Sequence, residues 1–146
     1  MKIVSWNCNG GLRNKTHALD SLEADIFIIQ ECEDPSNTTD SYRKWCENYL
    51  WSGLNKNRGI GVFARNGFSI QKVIWYNEIY LTCFFNASDS LRWNTKQLQQ
   101  FLPFIIDDDL IVIAVWTKQA ESKSFGYIGQ AWKYIQLHRK EISENR

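Results

Sequence analysis

The sequence has few of the residues that build the most common catalytic and metal sites. It contains only two histidines, His17 and His138, and its cysteines do not show the C-x-x-C spacing, so we do not expect a zinc site. It also lacks the P-loop, G-x-S-x-G and G-x-G-x-x-G motifs. The sequence therefore does not indicate the chemistry that those motifs support.

Strong charge and long apolar runs are also missing. Lysine and arginine total 17 and aspartate and glutamate total 16, a formal net charge of +1, so bulk charge does not indicate a polyanion-binding protein. No apolar run approaches the roughly 20 residues that cross a bilayer, and the N-terminus does not resemble a signal peptide. We therefore expect a cytoplasmic protein that does not bind a membrane.

Apolar residues are plentiful enough for one core. They make up 44% of 146 residues, and we expect a single domain over residues 1–146. Within a reducing compartment the four cysteines, Cys8, Cys32, Cys46 and Cys83, are expected to be buried free thiols. A disulfide between Cys8 and Cys32 is the alternative.

The first 31 residues have the pattern of two buried strands joined by a helix. The stretch Lys2 to Gly11 begins as a short apolar strand and becomes a polar loop, and after a helix-like segment the strand Asp25 to Glu31 ends in an acid. Such a crossover places the carboxyl ends of both strands at one edge of the sheet. We therefore expect Asn7 and Glu31 to lie together, where their oxygens suit Mg²⁺ or Mn²⁺ beside a phosphate.

Two motifs in this segment resemble a known family. S-W-N-C-N-G-G from Ser5 and A-D-I-F-I-I-Q-E from Ala24 are similar to the opening of the endonuclease/exonuclease/phosphatase superfamily, with its exonuclease III-like and deoxyribonuclease I-like enzymes. The resemblance implies an α/β (α+β) fold: a mixed, largely antiparallel sheet with helices on one face, similar to the N-terminal half of the four-layered deoxyribonuclease I-like αββα sandwich. We expect one such sheet, with two or three helices.

Further strands are predicted beyond this segment. Residues 58–65 have the pattern of a strand, and Asn66-Gly67 predicts a hairpin that returns residues 68–75 antiparallel to it. Three adjacent acids, residues 107–109, lie between two apolar stretches, and a hairpin turn explains them better than a metal site. Pro103 cannot donate to a ladder, which favours an edge strand or a bulge there.

Two helices are predicted as well. Residues 40–47 have helical spacing, with Thr39 or Asp40 as the cap. The last helix begins near residue 126, and its expected apolar face consists of Tyr127, Ala131, Tyr134 and Ile135.

The resemblance also implies residues that line the site. At the end of the strand over residues 110–116, several branches of the family have a histidine or tyrosine; here the residue is Trp116, which can stack on a base but cannot act as an acid or base. Lys118 would face a phosphate nearby. At the start of the next helix, Tyr127 and Gln130 would contact substrate; for Tyr127, a role as a core anchor is the alternative.

The implied mechanism is metal-assisted hydrolysis of a phosphodiester or phosphate ester. Glu31 would be the main ligand of Mg²⁺ or Mn²⁺ and Asn7 a weaker ligand or a phosphate-side donor. The second half of a complete family domain supplies a D-x-N pair and a closing aspartate-histidine pair, and this sequence contains neither. We therefore expect the N-terminal portion of a nuclease-like hydrolase, inactive alone, whose partner is nucleic acid or another phosphodiester.

Two other interpretations stay open. In a non-catalytic module for nucleotide or nucleic acid, tryptophans would serve as stacking platforms; the candidates are Trp6, Trp51, Trp75, Trp93 and Trp116. In a purely structural α/β domain, Asn7 would cap a turn and Glu31 would pair with an arginine such as Arg58 or Arg65.

Half of a sandwich would leave one sheet face bare. Because large exposed apolar patches are uncommon on soluble monomers, we expect self-association through that face, or a sheet that closes on itself. The strands at residues 60–64 and 111–115 carry the apolar residues for it.

Overall fold

The computed structural model describes residues 1–75, 81–82, 92–93, 100–117 and 127–144. The chain falls into two compact units: the first unit is Met1–Val73 with Gln100–Trp116, and the second unit is Ile74–Gln99 with Thr117–Arg146. The strands are β1 (Ile3–Asn7), β2 (Ile26–Cys32), β3 (Asn48–Asn55), β4 (Arg58–Ala64), β5 (Ile70–Lys72), β6 (Leu81–Thr82), β7 (Arg92–Trp93), β8 (Phe101–Ile106) and β9 (Leu110–Val115). The α-helices are α1 (Thr16–Asp20), α2 (Asp40–Cys46), α3 (Tyr127–Leu137) and α4 (Arg139–Glu144).

The first sheet is built on the β1–β2 pair and has the strand order β1-β2-β4-β3. β1 and β2 are parallel, with Ile3 opposite Ile26 and Asn7 opposite Gln30, whereas the β2–β4 and β3–β4 pairs are antiparallel. The segment between β1 and β2 holds a 3-10 helix, Leu12–Asn14, and the short α1. The predicted adjacency of the first two strands is confirmed, and their carboxyl ends meet at one edge.

Both faces of the central strands β2 and β4 are covered, which explains the nearly continuous apolar sequence of β2. Phe27 and Ile29 face one side, in a core that includes Leu19 of α1 and Tyr42 of α2. The alternate residues of β2 face the other side, where the second sheet packs. That second core contains Ile26, Ile28, Ile60, Val62, Ala64, Ile70, Leu102, Phe104, Ile106 and Ala114.

The second sheet has the order β5-β8-β9 and is antiparallel. The fold class is therefore confirmed as mixed α/β with mostly antiparallel strands, and α1 and α2 lie on one face of the first sheet. The expectation of one sheet was wrong, because the described strands divide among three: these two sheets and a β6–β7 pair. The residues of β4 that were expected to be bare are buried under the second sheet. The predicted self-association therefore rests on the half-buried residues of β9, Ile111, Ile113 and Val115.

The predicted hairpin at Asn66-Gly67 was also wrong. The turn itself forms, since Asn66 has φ 55° and Gly67 φ 82° and the N–H of Phe68 donates to the carbonyl of Arg65 at 3.1 Å. The chain then leaves the first sheet, because β2 and β3 already occupy both edges of β4. β5 pairs with β8 instead.

Two other local predictions are confirmed and one is wrong. Thr39 caps α2, its hydroxyl accepting a hydrogen bond from the N–H of Tyr42 at 3.4 Å, and residues 107–109 form the turn between β8 and β9.

The prediction for Pro103 was wrong, because its strand is not at an edge: β8 lies between β5 and β9. Pro103 sits where β5 ends, one residue past the last pair, Lys72 with Phe104, and its carbonyl accepts from Val73 at 3.0 Å. In an antiparallel ladder the N–H and C=O of a residue point the same way, so the missing donor faces the end of β5 and no bond to β9 is lost.

The described residues of the second unit form an antiparallel β6–β7 pair and the helices α3 and α4. The buried face of α3 differs from the prediction: it consists of Gln130, Tyr134 and Leu137. Tyr127 is 55% exposed and Ile135 45%, so the alternative that Tyr127 anchors a core is wrong. Among the described residues, no helix has the length and apolar character needed to cross a membrane.

Candidate functional site

A bulge at the end of β2 takes Glu31 out of the sheet ladder. Gln30 pairs with Ile60 and Cys32 pairs with Gly59, so Glu31 is the extra residue, with a left-handed φ of 62°. A bulge of this kind re-aims a side chain, and a non-glycine residue with positive φ is held there by its surroundings. No local sequence pattern predicts this bulge, and it places the Glu31 carboxylate where the regular alternation of a strand would not.

The Glu31 carboxylate lies between an asparagine and an arginine. Its Oε1 accepts a hydrogen bond from Asn7 Nδ2 at 3.0 Å, and its Oε2 pairs with Arg58 Nη1 at 3.0 Å. The Oδ1 of Asn7 accepts the backbone N–H of Asn9 at 3.0 Å. The structure therefore brings Asn7 and Glu31 within direct contact, as expected from the parallel strands. It also contains the two contacts that the structural interpretation expects, the turn at Asn7 and the ion pair with Arg58.

Two charged residues hold the loop that follows Asn7, and the sequence did not single them out. The carboxylate of Glu33, only 4% exposed, accepts the backbone N–H groups of Leu12 at 2.9 Å and Arg13 at 3.2 Å. Lys15 Nζ donates to the carbonyls of Cys8 and Gly10. These bonds fix the loop from both of its ends, so the position of Asn7 does not depend on β1 alone.

The donor set suits a divalent ion that is held mainly by water. A carboxylate has about four acceptor positions, and Glu31 uses one on each oxygen for Asn7 and Arg58. Asn7 presents its NH₂ to Glu31, so in this arrangement it orients the acid. Within the described part of the chain, no group of three or more His, Cys, Asp or Glu side chains is placed to hold a metal ion. One carboxylate fits Mg²⁺ or Mn²⁺, which keep several waters.

The cysteines near the site are buried free thiols. Burial raises the pKa of Cys8 and raises that of Cys32 well above its usual value, so both remain protonated at neutral pH. The expectation of free thiols is confirmed for Cys8, Cys32 and Cys46, whereas Cys83 lies outside the described residues. These thiols pack in the core and are poor candidates for nucleophiles or metal ligands.

The other predicted site residues are placed as follows. Trp116 is partly buried against the core between the two sheets of the first unit. Tyr127 and Gln130 belong to α3 in the second unit, the first exposed and the second buried. Lys118 lies outside the described residues. A role for these four residues in substrate binding therefore stays a prediction.

The candidate stacking tryptophans are mostly engaged in packing. Trp6 and Trp51 pack against the core under α1 and α2, and Trp51 Nε1 donates to the carbonyl of Cys32 at 3.3 Å. The Trp75 ring lies 4.8 Å from His138 and 6.0 Å from Tyr134. The side chain of Trp93 is outside the described part. These contacts favour packing for Trp6, Trp51 and Trp75.

No family model matches the sequence, and no curated protein matches it. The structure is similar to a 3′-5′ exonuclease (NExo) from Neisseria meningitidis, with a TM-score of 0.59 and 18% identity, covering 99% of this chain and 54% of that chain. It is also similar to the Xenopus laevis APE2 catalytic domain, with a TM-score of 0.46 and 20% identity, covering 94% of this chain and 51% of that chain. The chain thus spans about half the length of these solved structures. The likeness to the Neisseria exonuclease shows that this chain shares the fold of about half of that structure, an endonuclease/exonuclease/phosphatase-type fold, which agrees with the resemblance of the two opening motifs.

Proposed function

We propose that this chain belongs to a metal-dependent, nuclease-like hydrolase of phosphodiester bonds. The observation that carries the proposal is the position of Glu31: a carboxylate lifted out of the ladder by a bulge, hydrogen-bonded to Asn7 at the carboxyl ends of two parallel strands. Support also comes from the fold, shared with a protein described as a 3′-5′ exonuclease. That description makes nucleic acid the first substrate to test.

Glu31 would hold Mg²⁺ or Mn²⁺, and Asn7 would orient this carboxylate and act as a weaker ligand or as a phosphate-side donor. A bound divalent ion would polarise a phosphate oxygen and stabilise the charge that develops during hydrolysis. Glu33 and Lys15 would keep the loop after Asn7 in place. With a single carboxylate, the affinity for Mg²⁺ is expected to be weak.

Hydrolysis also needs a positioned water and a proton donor. The sequence contains no D-x-N, and of its two histidines His138 is 2% exposed, with its ring against Trp75 and Tyr134. We therefore expect little or no cleavage by residues 1–146 alone. Activity would need residues that supply the water-activating groups.

The test is a Mg²⁺ titration followed through the amide signals of residues 7–11 and 30–33. Glu31→Gln should abolish the response and leave folding nearly intact, because the amide keeps the size of the carboxylate and loses its charge. Asp25→Asn is the matched control, since Asp25 is the acid at the opposite end of β2 and is also bonded to an asparagine; its titration should match the wild type. A wild type without Mg²⁺ binding, or binding that survives Glu31→Gln, would overturn the proposal.

A cleavage assay on DNA, RNA and a model phosphodiester completes the test. Robust metal-dependent cleavage that is lost in Glu31→Gln would contradict the expected inactivity and would show that the chain already holds a complete site. A cytoplasmic location and self-association stay predictions from the sequence.

A further inference from the structure

Arg58 is placed where it reaches both the candidate metal ligand and the loop after Asn7. It is the first residue of β4 and pairs with Asn55 of β3. Its Nη1 lies 3.0 Å from Glu31 Oε2, and a β-carbon at Gly10 would lie 3.9 Å from its Nη2. Its guanidinium therefore spans the gap between the acid and the Asn7 loop.

The exposure of the two partners differs. The Glu31 side chain is 16% exposed, whereas that of Arg58 is 54% exposed. An arginine carries five N–H donors in a planar fork, and the bond to Glu31 uses one of them. The other N–H donors of Arg58, on the solvent-exposed side of its guanidinium, can therefore bind an anion.

Arg58 and a divalent ion would bind the same carboxylate. The positive charge of the arginine opposes an ion arriving at Glu31, and an ion on Glu31 opposes the arginine in turn. An arginine displaced in this way stays next to the site, where its fork matches two oxygens of a phosphate.

We propose that Arg58 is the phosphate-contacting residue of this site, paired with Glu31 in the free protein and with a phosphate of the substrate once an ion is bound. The inference rests on the proposed function and adds to it the residue that recognises the anionic group. Arg58 would thus lower the affinity for the ion alone and raise the affinity for the nucleotide in its presence.

The experiment uses two probes on the full chain: Mg²⁺ alone, and thymidine 5′-phosphate in saturating Mg²⁺. Arg58→Ala is compared with Arg58→Lys, which keeps the charge and loses the fork. Arg43→Ala is the matched control, because the Arg43 side chain is similarly exposed, at 51%, and pairs with Asp40 on α2. Thermal unfolding of each variant verifies that it folds.

Arg58→Ala should bind Mg²⁺ about 3-fold more tightly than the wild type, because a competing charge is gone. It should bind thymidine 5′-phosphate about 10-fold more weakly. Arg58→Lys should keep the wild-type Mg²⁺ affinity and lose about 3-fold for the nucleotide, and Arg43→Ala should change neither. An unchanged affinity for either probe in Arg58→Ala overturns the proposal. Failure of the proposed function would show earlier, as absent Mg²⁺ binding in the wild type.

Discussion

The two ends of the β1–β2 pair carry the same chemical combination in different surroundings. At the carboxyl ends, Asn7 donates to Glu31 at 3.0 Å; at the amino end of β2, Asn66 donates to Asp25 at 2.7 Å. Asp25 also accepts the N–H of Lys2, and its own backbone bonds on both sides, to Lys2 and from Arg65. Glu31 stands outside the ladder and has side-chain partners.

The difference separates a structural acid from a candidate functional one. Asp25 accepts hydrogen bonds from backbone N–H groups at this end of the sheet, and these bonds account for its role without any ligand. Glu31 is held in a left-handed conformation, and its partners are the side chains of Asn7 and Arg58. An acid paired with an asparagine can therefore be structural or functional, and the backbone conformation around the acid distinguishes the two cases.

The largest expected effect on stability concerns the glycines of the two ends. Gly59 lies opposite the bulge, and a β-carbon there would overlap the Trp51 ring and lie 2.5 Å from the carbonyl oxygen of Ser52. Gly59→Ala should therefore cost about 3 kcal/mol of unfolding free energy. Gly67→Ala, in the turn at the other end, meets open space and pays only for its φ of 82°, about 1 kcal/mol. Urea unfolding of both variants measures the difference, and equal losses would contradict tight packing behind the bulge.

The next prediction compares the loss of the two asparagine side chains. Asn7→Ala should weaken Mg²⁺ binding about 10-fold, because a residue that orients a metal ligand is lost. Asn66→Ala removes the equivalent bond from Asp25 and should leave the Mg²⁺ affinity unchanged. Calorimetric or NMR titration of both variants checks this, and equal Mg²⁺ affinities would mean that Asn7 has no part in the site.

Local sequence signals predicted the elements in which local and overall structure agree. The apolar strands around Asn7 and Glu31, the Thr39 cap and the turn at residues 107–109 each depend on a few neighbouring residues, and all three were found. The pairing of Asn7 with Glu31 followed from the crossover rule for parallel strands. These parts of the fold and of the candidate site could be predicted because the residues that determine each element lie close together in the sequence.

The parts that were missed depend on residues far apart in sequence. The Asn66-Gly67 turn has hairpin chemistry, but whether the chain returns depends on β3, whose irregular pattern of N-Y-L-W-S-G-L-N was not recognised as a strand. The bulge at Glu31 depends on how β4 pairs with β2, and the contact with Arg58 depends on that same register. No local pattern specifies such a register when both faces of a strand are buried.

The smallest expected effect is the pH dependence at the amino end. The hydrogen bond from Asn66, and then that from the backbone of Lys2, lower the pKa of Asp25 from its usual value. A lowered pKa means that the ionised form stabilises the fold. This contribution is complete above the unfolded-state pKa of about 3.9 and is lost as the pH falls through the folded-state value.

The melting temperature of Asp25→Asn should therefore fall below that of the wild type near neutral pH, and the gap between the two melting temperatures should close at acidic pH. Because Asp25 is only partly buried, the gap should also shrink as salt rises. Asn66→Ala should reduce the same pH dependence by removing the largest cause of the shift. A gap that stays constant from neutral to acidic pH would show that the Asp25 charge contributes nothing, and that the amide and the carboxylate serve equally well at this end of the sheet.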